Sequence, residues 1–151
     1  MLNDNLLRTL LLRARRIAII GAKDKPGQPV DTVGRYLLKK GYKIFPVHPV
    51  RTSAWGIPTT ASITEIRAHI DIVVLFRNPD FCPQHAREIV RMAPSPELFW
   101  MQTGIRSPEC HTILAGTGIQ IVEDACIMVE HNRLTTPQPI DGQKKEYDCG
   151  L

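Results

Sequence analysis

Apolar and polar positions along the chain alternate between two kinds of pattern. Short, mostly apolar runs occur at Ile17–Ile20, Ile44–Val47, Ile72–Phe76, Leu98–Met101 and Ile119–Val122. Runs of that length suit strands, and Ile72–Phe76, the strongest of them, is continuously apolar and fit for burial on both faces of a parallel sheet. Between them lie segments with helical spacing. Asp31 to Lys40 is amphipathic and stops at Gly41; Phe81 to Met92 precedes Pro94. Ser107 begins a third, with Pro108 at its first position and Glu109 in its first turn, running to about Ala115 before Gly116 and Gly118. A shorter helix is predicted over Ser62 to His69, where Ser62 and Glu65 have capping-box spacing. The opening residues predict an amphipathic helix within 1–16, with Leu6, Leu7, Leu10 and Leu11 packed on the sheet.

Strands alternating with helices predict an α/β fold: a Rossmann-like, doubly wound, mostly parallel sheet of about five strands, with helices on both faces. The segment Arg51–Thr60, with Trp55-Gly56-Ile57-Pro58, reads as a short extra strand or an irregular crossing. One domain is expected over 1–133, followed by a flexible Pro- and charge-rich tail over 134–151.

Ligands of such sheets bind outside the carboxyl ends of the strands, at the switch point. The loops after Ile20, Val47, Phe76 and Met101 should therefore converge on one crevice. The first joins a strand to a helix through Gly21 and a Gly/Pro/Lys loop. That turn places helix N-terminal N–H groups and the positive end of the helix dipole beside any bound anion. A nucleotide is the expected ligand.

Charge and motif content narrow its identity. Residues 1–51 carry eleven Lys/Arg against three Asp/Glu, and the remainder carries eight against twelve, leaving the chain at +4. The basic excess thus surrounds the phosphate turn. Gly21 and Gly27 are too far apart for G-x-G-x-x-G, and the second strand closes on Val47-His48-Pro49-Val50-Arg51 without a carboxylate for ribose hydroxyls. Lys23 and Lys25 lack a Walker A context. A basic residue at Arg51 would suit a ribose phosphate, as in NADP or coenzyme A. Charge alone would admit nucleic acid, but no helix-turn-helix, RNP or finger pattern supports it.

Four cysteines at 82, 110, 126 and 149 form no CxxC pair and no His-Cys cluster, so no metal site is expected. Glu123 and Asp124 are adjacent and point to opposite faces of a strand, so no paired carboxylates stand out and no catalytic residue is assigned. Basic residues in the opening segment follow the apolar ones, unlike a signal peptide, and no apolar run nears the length of about 18 residues that spans a bilayer. A cytoplasmic protein without membrane partners is expected.

Four segments carry a family resemblance: IAIIGAKDKPGQPVDTVGRYLLKKGYKIFPVHP, DIVVLFRNP, LFWMQTGI and GIQIVEDACIMVE. In this order they resemble the stand-alone CoA-binding domain proteins, small bacterial Rossmann-like proteins similar to the N-terminal domain of the succinyl-CoA ligase alpha subunit. The resemblance covers residues 17 to about 130. It implies coenzyme A or an acyl-CoA as ligand and says little about catalysis. It places the pyrophosphate near Gly21, Ala22 and Lys23, with Pro26 and Val33 beside it. Val47, His48, Pro49 and Arg51 would border the adenosine, with Arg51 as partner of the 3′-phosphate. Phe76, Arg77 and Asn78 would form the opposite wall. Gln102, Gly104 and Ile105 would face the crevice floor, with Cys126 at the pantetheine end. Lys23, Gln28, His48 and Ala125 depart from the family's usual serine, arginine, asparagine and arginine. On this reading Gly21→Val removes binding and leaves a folded chain.

The expected role is a CoA carrier, sensor or accessory protein. The alternatives are an NADP-dependent oxidoreductase or redox sensor, and a protein-interaction module that lost its ligand. A homodimer is compatible with the pattern and not encoded in it.

Overall fold

The computed structural model describes residues 2–137, so Cys149 and the tail from residue 138 lie outside the described residues. Five strands form one parallel sheet: β1 (Arg16–Ile20), β2 (Lys43–Val47), β5 (Ile72–Leu75), β6 (Leu98–Met101) and β7 (Gln120–Val122). Their order is β2-β1-β5-β6-β7. The chain winds one way from β1 to β2 and the other way from β5 onward. The switch point therefore lies between β1 and β5, where Ile20 is in register with Leu75.

Alternate residues of each strand feed two separate cores. Ile17, Ile19, Ile72, Val74, Leu98 and Trp100 face helices α1 (Asp4–Arg13), α2 (Pro29–Lys39) and α5 (Ile127–Thr135). Ala18, Ile20, Val73, Leu75, Phe99 and Met101 face α3 (Cys82–Val90) and α4 (Pro108–Leu114). Burial on both faces is why these strands are continuously apolar rather than alternating. No helix among the described residues is long and apolar enough to cross a membrane.

Several elements differ from the sequence expectation. In α1, Leu7, Leu10 and Leu11 are buried, but Leu6 is 39% exposed. Helix α2 begins two residues early, at Pro29, because its ring pre-sets the helical φ of a first position. Its end is a Schellman motif: Gly41 (φ 96°) donates to Leu38 O and Tyr42 donates to Leu37 O. The predicted helix 62–69 is only a 3₁₀ turn, Ile63–Glu65. Ser62 caps Thr64 N, while Glu65 reaches Ala61 N rather than Ser62 N, so the reciprocal box does not close.

Helix α5 lies where no element was expected, and it carries Leu134 into the core, so ordered structure passes the expected boundary at 133. The Arg51–Thr60 segment contains a hairpin, β3 (Ser53–Ala54) with β4 (Ile57–Pro58). Its tight turn places Trp55 at φ 54° and Gly56 at φ 74°. Trp55 pays for that left-handed backbone by docking on α2. Its Nε1 donates to Asp31 Oδ1 at 2.9 Å, and its ring fills the space over Gly34, where a Cβ would lie 2.2 Å from the ring.

Candidate functional site

The turn after β1 uses its first two amides internally. Gly21 N and Ala22 N both donate to Val47 O, at 2.9 and 3.2 Å. Those two amides are therefore engaged within the fold, although Gly21 and Lys23 still line the crevice beside them. Gly21 is required for another reason. At φ 90°, a Cβ would lie 2.3 Å from the carbonyl oxygen of Phe76. The backbone that approaches so closely is the neighbouring strand's own, since Phe76 N donates to Ile20 O at 2.9 Å. A side chain at Gly21 therefore attacks the sheet itself, not only a ligand site.

One backbone donor remains further along: Pro29 has no N–H, and Asp31 N and Thr32 N both donate to Gln28 O, which leaves Val30 N at the start of α2. Helix α2 starts with Gln28 as its N-cap, and no side chain caps its first turn. That end opens onto a cavity of about 510 Å³ lined by Lys23, Gln28, Val30, His48, Phe76 and Arg77, among others. An uncapped helix N-terminus favours an anion through its N–H groups and dipole.

Side chains reinforce that preference. Arg77 is stacked on Phe81, its guanidinium carbon 4.2 Å from the ring centroid. The Arg77 Nε is buried without a hydrogen-bond partner. A buried, unpartnered donor is costly, so a ligand oxygen there would satisfy it. Lys23 forms no ion pair among the described residues. His48 Nδ1 accepts from Val50 N at 3.1 Å and Arg51 N at 3.0 Å. Two donors aimed at Nδ1 require its lone pair, which assigns the proton of the neutral ring to Nε2.

Burial lowers the His48 pKa below its ordinary 6.5, and the charges of Lys23, Arg51 and Arg77 lower it further. His131, beneath Tyr36 and Tyr42, is lowered by burial and then by Lys40. A histidine with a depressed folded pKa stabilises the fold above its unfolded pKa and loses that contribution as pH falls through the folded value. The aspartates whose pKa values are lowered titrate below 3.8 and do not act in this window. Unfolding free energy should therefore fall as pH drops below 6.5, and denaturant titrations of wild type and His48→Asn should show a shallower loss in the variant.

A second cavity, of about 550 Å³, adjoins the first and is mostly apolar, with Val33, Phe76, Ile105, Cys126 and Met128 in its wall. Pro29 and Phe76 line both cavities. The floor is fixed by hydrogen bonds from distant residues. Gln102, 4% exposed, accepts from Ile127 N at 2.9 Å and so caps α5. Trp100 Nε1 donates to Ala125 O at 2.8 Å. Asp124, at φ 53°, accepts from Gly104 N at 2.7 Å and from Arg106 at 2.9 Å. Cys126 is partly buried with an unpaired thiol.

The structure thus gathers ten of the residues picked from sequence. Gly21, Lys23, His48, Arg77 and Asn78 line the basic cavity; Val33, Gln102, Ile105 and Cys126 line the apolar one; Phe76 lines both. Asn78 also has a structural task, since its Oδ1 caps the 3₁₀ turn Pro79–Phe81 through Asp80 N at 2.9 Å. Ala22, Pro26, Val47, Pro49, Arg51 and Gly104 line neither cavity. Ala22 and Val47 are buried in the cores. Arg51 is engaged with Asp24, Nη1 to Oδ1 at 2.9 Å. Sequence reasoning passed over Asp24, Pro29, Val30, Phe81 and Met128. The signal for Pro29 and Val30 was present, because a Pro at N1 fixes which residues form the first helical turn.

Comparison with known proteins gives one consistent answer. The sequence model of the family described as CoA binding domain matches residues 15–132. YneT of Bacillus subtilis (strain 168) is 34% identical over 126 residues, spanning 83% of this chain and 91% of YneT. A solved protein from Thermus thermophilus is 38% identical, with a TM-score of 0.82, covering 88% of this chain and 99% of that one. The PH1109 protein redesigned for binding is 29% identical, with a TM-score of 0.84, covering 97% of this chain and 98% of that one.

Proposed function

The chain belongs to the CoA binding domain family, and from that premise we propose that it binds coenzyme A or an acyl-CoA across the carboxyl ends of β1 and β5. One observation carries this reading: two adjoining cavities of opposite character share Pro29 and Phe76 at the switch point. Coenzyme A is itself two-part, a polyanionic nucleotide joined to a long, weakly polar thiol arm. The basic cavity suits the diphosphate, with Lys23, Arg77 and the start of α2 as its partners. The apolar cavity suits the pantetheine arm, whose sulfur end would lie toward Cys126.

The role is that of a carrier, sensor or accessory protein. Among the described residues the site brings together binding groups: Lys23, Arg77, Val30 N and an apolar wall. Cys82 and Cys110 are buried thiols, Cys82 pushed up to about 12 by burial, and they act as apolar packing rather than nucleophiles. Free buried thiols suit a reducing compartment, and we assign the cytoplasm.

Thermal unfolding of ligand-stripped protein with CoA, dephospho-CoA, NADP and NAD at equal concentration tests the reading. A ligand at 100 times its Kd stabilises the native state by about 2.7 kcal/mol. Stabilisation by CoA and none by NAD or NADP is expected. Stabilisation by NADP alone would overturn it.

A further inference from the structure

Resting on that reading, we infer that the site recognises the ligand's diphosphate and thiol arm but does not select for the phosphate on its ribose, because Asp24 neutralises Arg51. Arg51 is the basic residue that sequence reasoning assigned to that phosphate. In the structure its guanidinium is paired with Asp24 at 2.9 Å, and both side chains are about one-third exposed. The pair is not an accidental surface contact. The other carboxylate oxygen of Asp24 accepts from Trp55 N at 3.1 Å, and the Trp55 ring is pinned on α2 through Asp31. The Trp55 N–H first, then Asp24's own N–H and the Arg51 guanidinium, hold the Asp24 carboxyl below the usual carboxylate range, so it stays charged.

The backbone of Arg51 is equally engaged. Its N–H donates to His48 Nδ1, and its carbonyl accepts from the Thr59 hydroxyl. The residue is a structural joint between the β2 loop and the hairpin. Its charge beside the crevice is offset by a carboxylate that the fold holds in place.

Electrostatics decides the consequence. A ribose phosphate placed at Arg51 would meet one positive and one negative charge a few ångströms apart. It would have to displace Asp24 from its partner and then remain beside it. Exposed ion pairs are weak, so displacement alone is not the barrier. The standing negative charge is, since like charges at close range disfavour binding. Lys23 and Arg77 meet no such opposition: neither forms an ion pair among the described residues, and both line the basic cavity. Their attraction falls on whatever phosphates enter that cavity, which CoA and dephospho-CoA share.

Calorimetric titration of the ligand-stripped protein with CoA and dephospho-CoA tests this, on wild type, Asp24→Asn and Arg51→Ala. Asparagine can still accept from Trp55 N, so the hairpin keeps its anchor while the charge is removed. Wild type is expected to bind the two ligands within about threefold. Asp24→Asn is expected to favour CoA by about tenfold, and Arg51→Ala, which leaves the Asp24 charge unopposed, to favour dephospho-CoA. A wild type that prefers CoA by tenfold or more, with the preference erased in Arg51→Ala, would overturn the inference and leave the CoA reading intact. An Asp24→Asn that gains no preference for CoA would also overturn it. Binding of neither ligand would overturn both the inference and the CoA reading.

Discussion

Gly21→Val is expected to destabilise the whole domain by about 2–6 kcal/mol, not to produce a folded protein that merely fails to bind. Two costs combine. A β-branched residue forced to φ 90° carries roughly 1–3 kcal/mol of backbone strain. Its Cβ, 2.3 Å from the Phe76 carbonyl oxygen, adds about 1–3 kcal/mol of overpacking, and the obstacle is backbone that cannot rotate away. Relief requires β1 and β5 to separate at their carboxyl ends, where Phe76 N bonds Ile20 O. A urea titration monitored by Trp fluorescence would show the loss as a lower midpoint. Wild-type stability together with lost CoA binding would restore the simpler idea that this glycine serves only ligand approach.

Arg77→Ala should have the opposite profile: a stable protein with weak binding. Arg77 makes no hydrogen bond or ion pair among the described residues, and its truncation trades stacking on Phe81, about 0.5–1 kcal/mol, against relief of the buried, unpartnered Nε, so stability should fall by no more than about 1 kcal/mol. Hydrogen bonds to charged groups contribute about 1.5–3 kcal/mol each, so the Kd for CoA should rise about 10- to 100-fold. Arg77→Lys should fall between the two. It keeps the charge but loses the planar fork that both stacks on Phe81 and presents several donors. An unchanged Kd for Arg77→Ala would remove Arg77 from the phosphate site.

These two variants mark what the sequence could and could not convey. The inner strands β1, β5 and β6 were legible as nearly continuous apolar runs and the edge strands β2 and β7 as shorter ones, and their alternation with helices prescribes a doubly wound sheet. The switch-point loops followed from that topology alone. Helix α5 was not legible, because its N-cap is Cys126 rather than Ser, Thr, Asp or Asn. The missing cap is supplied across the fold by Gln102, which bonds Ile127 N. The Trp55-Gly56 turn was equally hidden. Tryptophan is a poor choice for a left-handed backbone, and only the slot over Gly34 and the bond to Asp31 make it acceptable.

The same limit governed the site. Composition placed the positive charge near the phosphate turn, and that is where Lys23, Arg77 and His48 converge. It could not show that Arg51 meets a carboxylate 27 residues earlier in the chain. Nor could it show that the amides of Gly21 and Ala22 are engaged by Val47. Local pattern reports which residues lie at strand ends. Which of them remain available to a ligand depends on partners that only the folded chain brings together.

Amide chemical-shift mapping during a titration with CoA is the most direct test of the two-cavity site. The predicted result is saturable perturbation at Lys23, Val30, His48 and Arg77 together with Ile105, Cys126 and Met128. Perturbations confined to the separate cavity at the amino ends of the strands, around Arg67, His69 and Arg91, would contradict it.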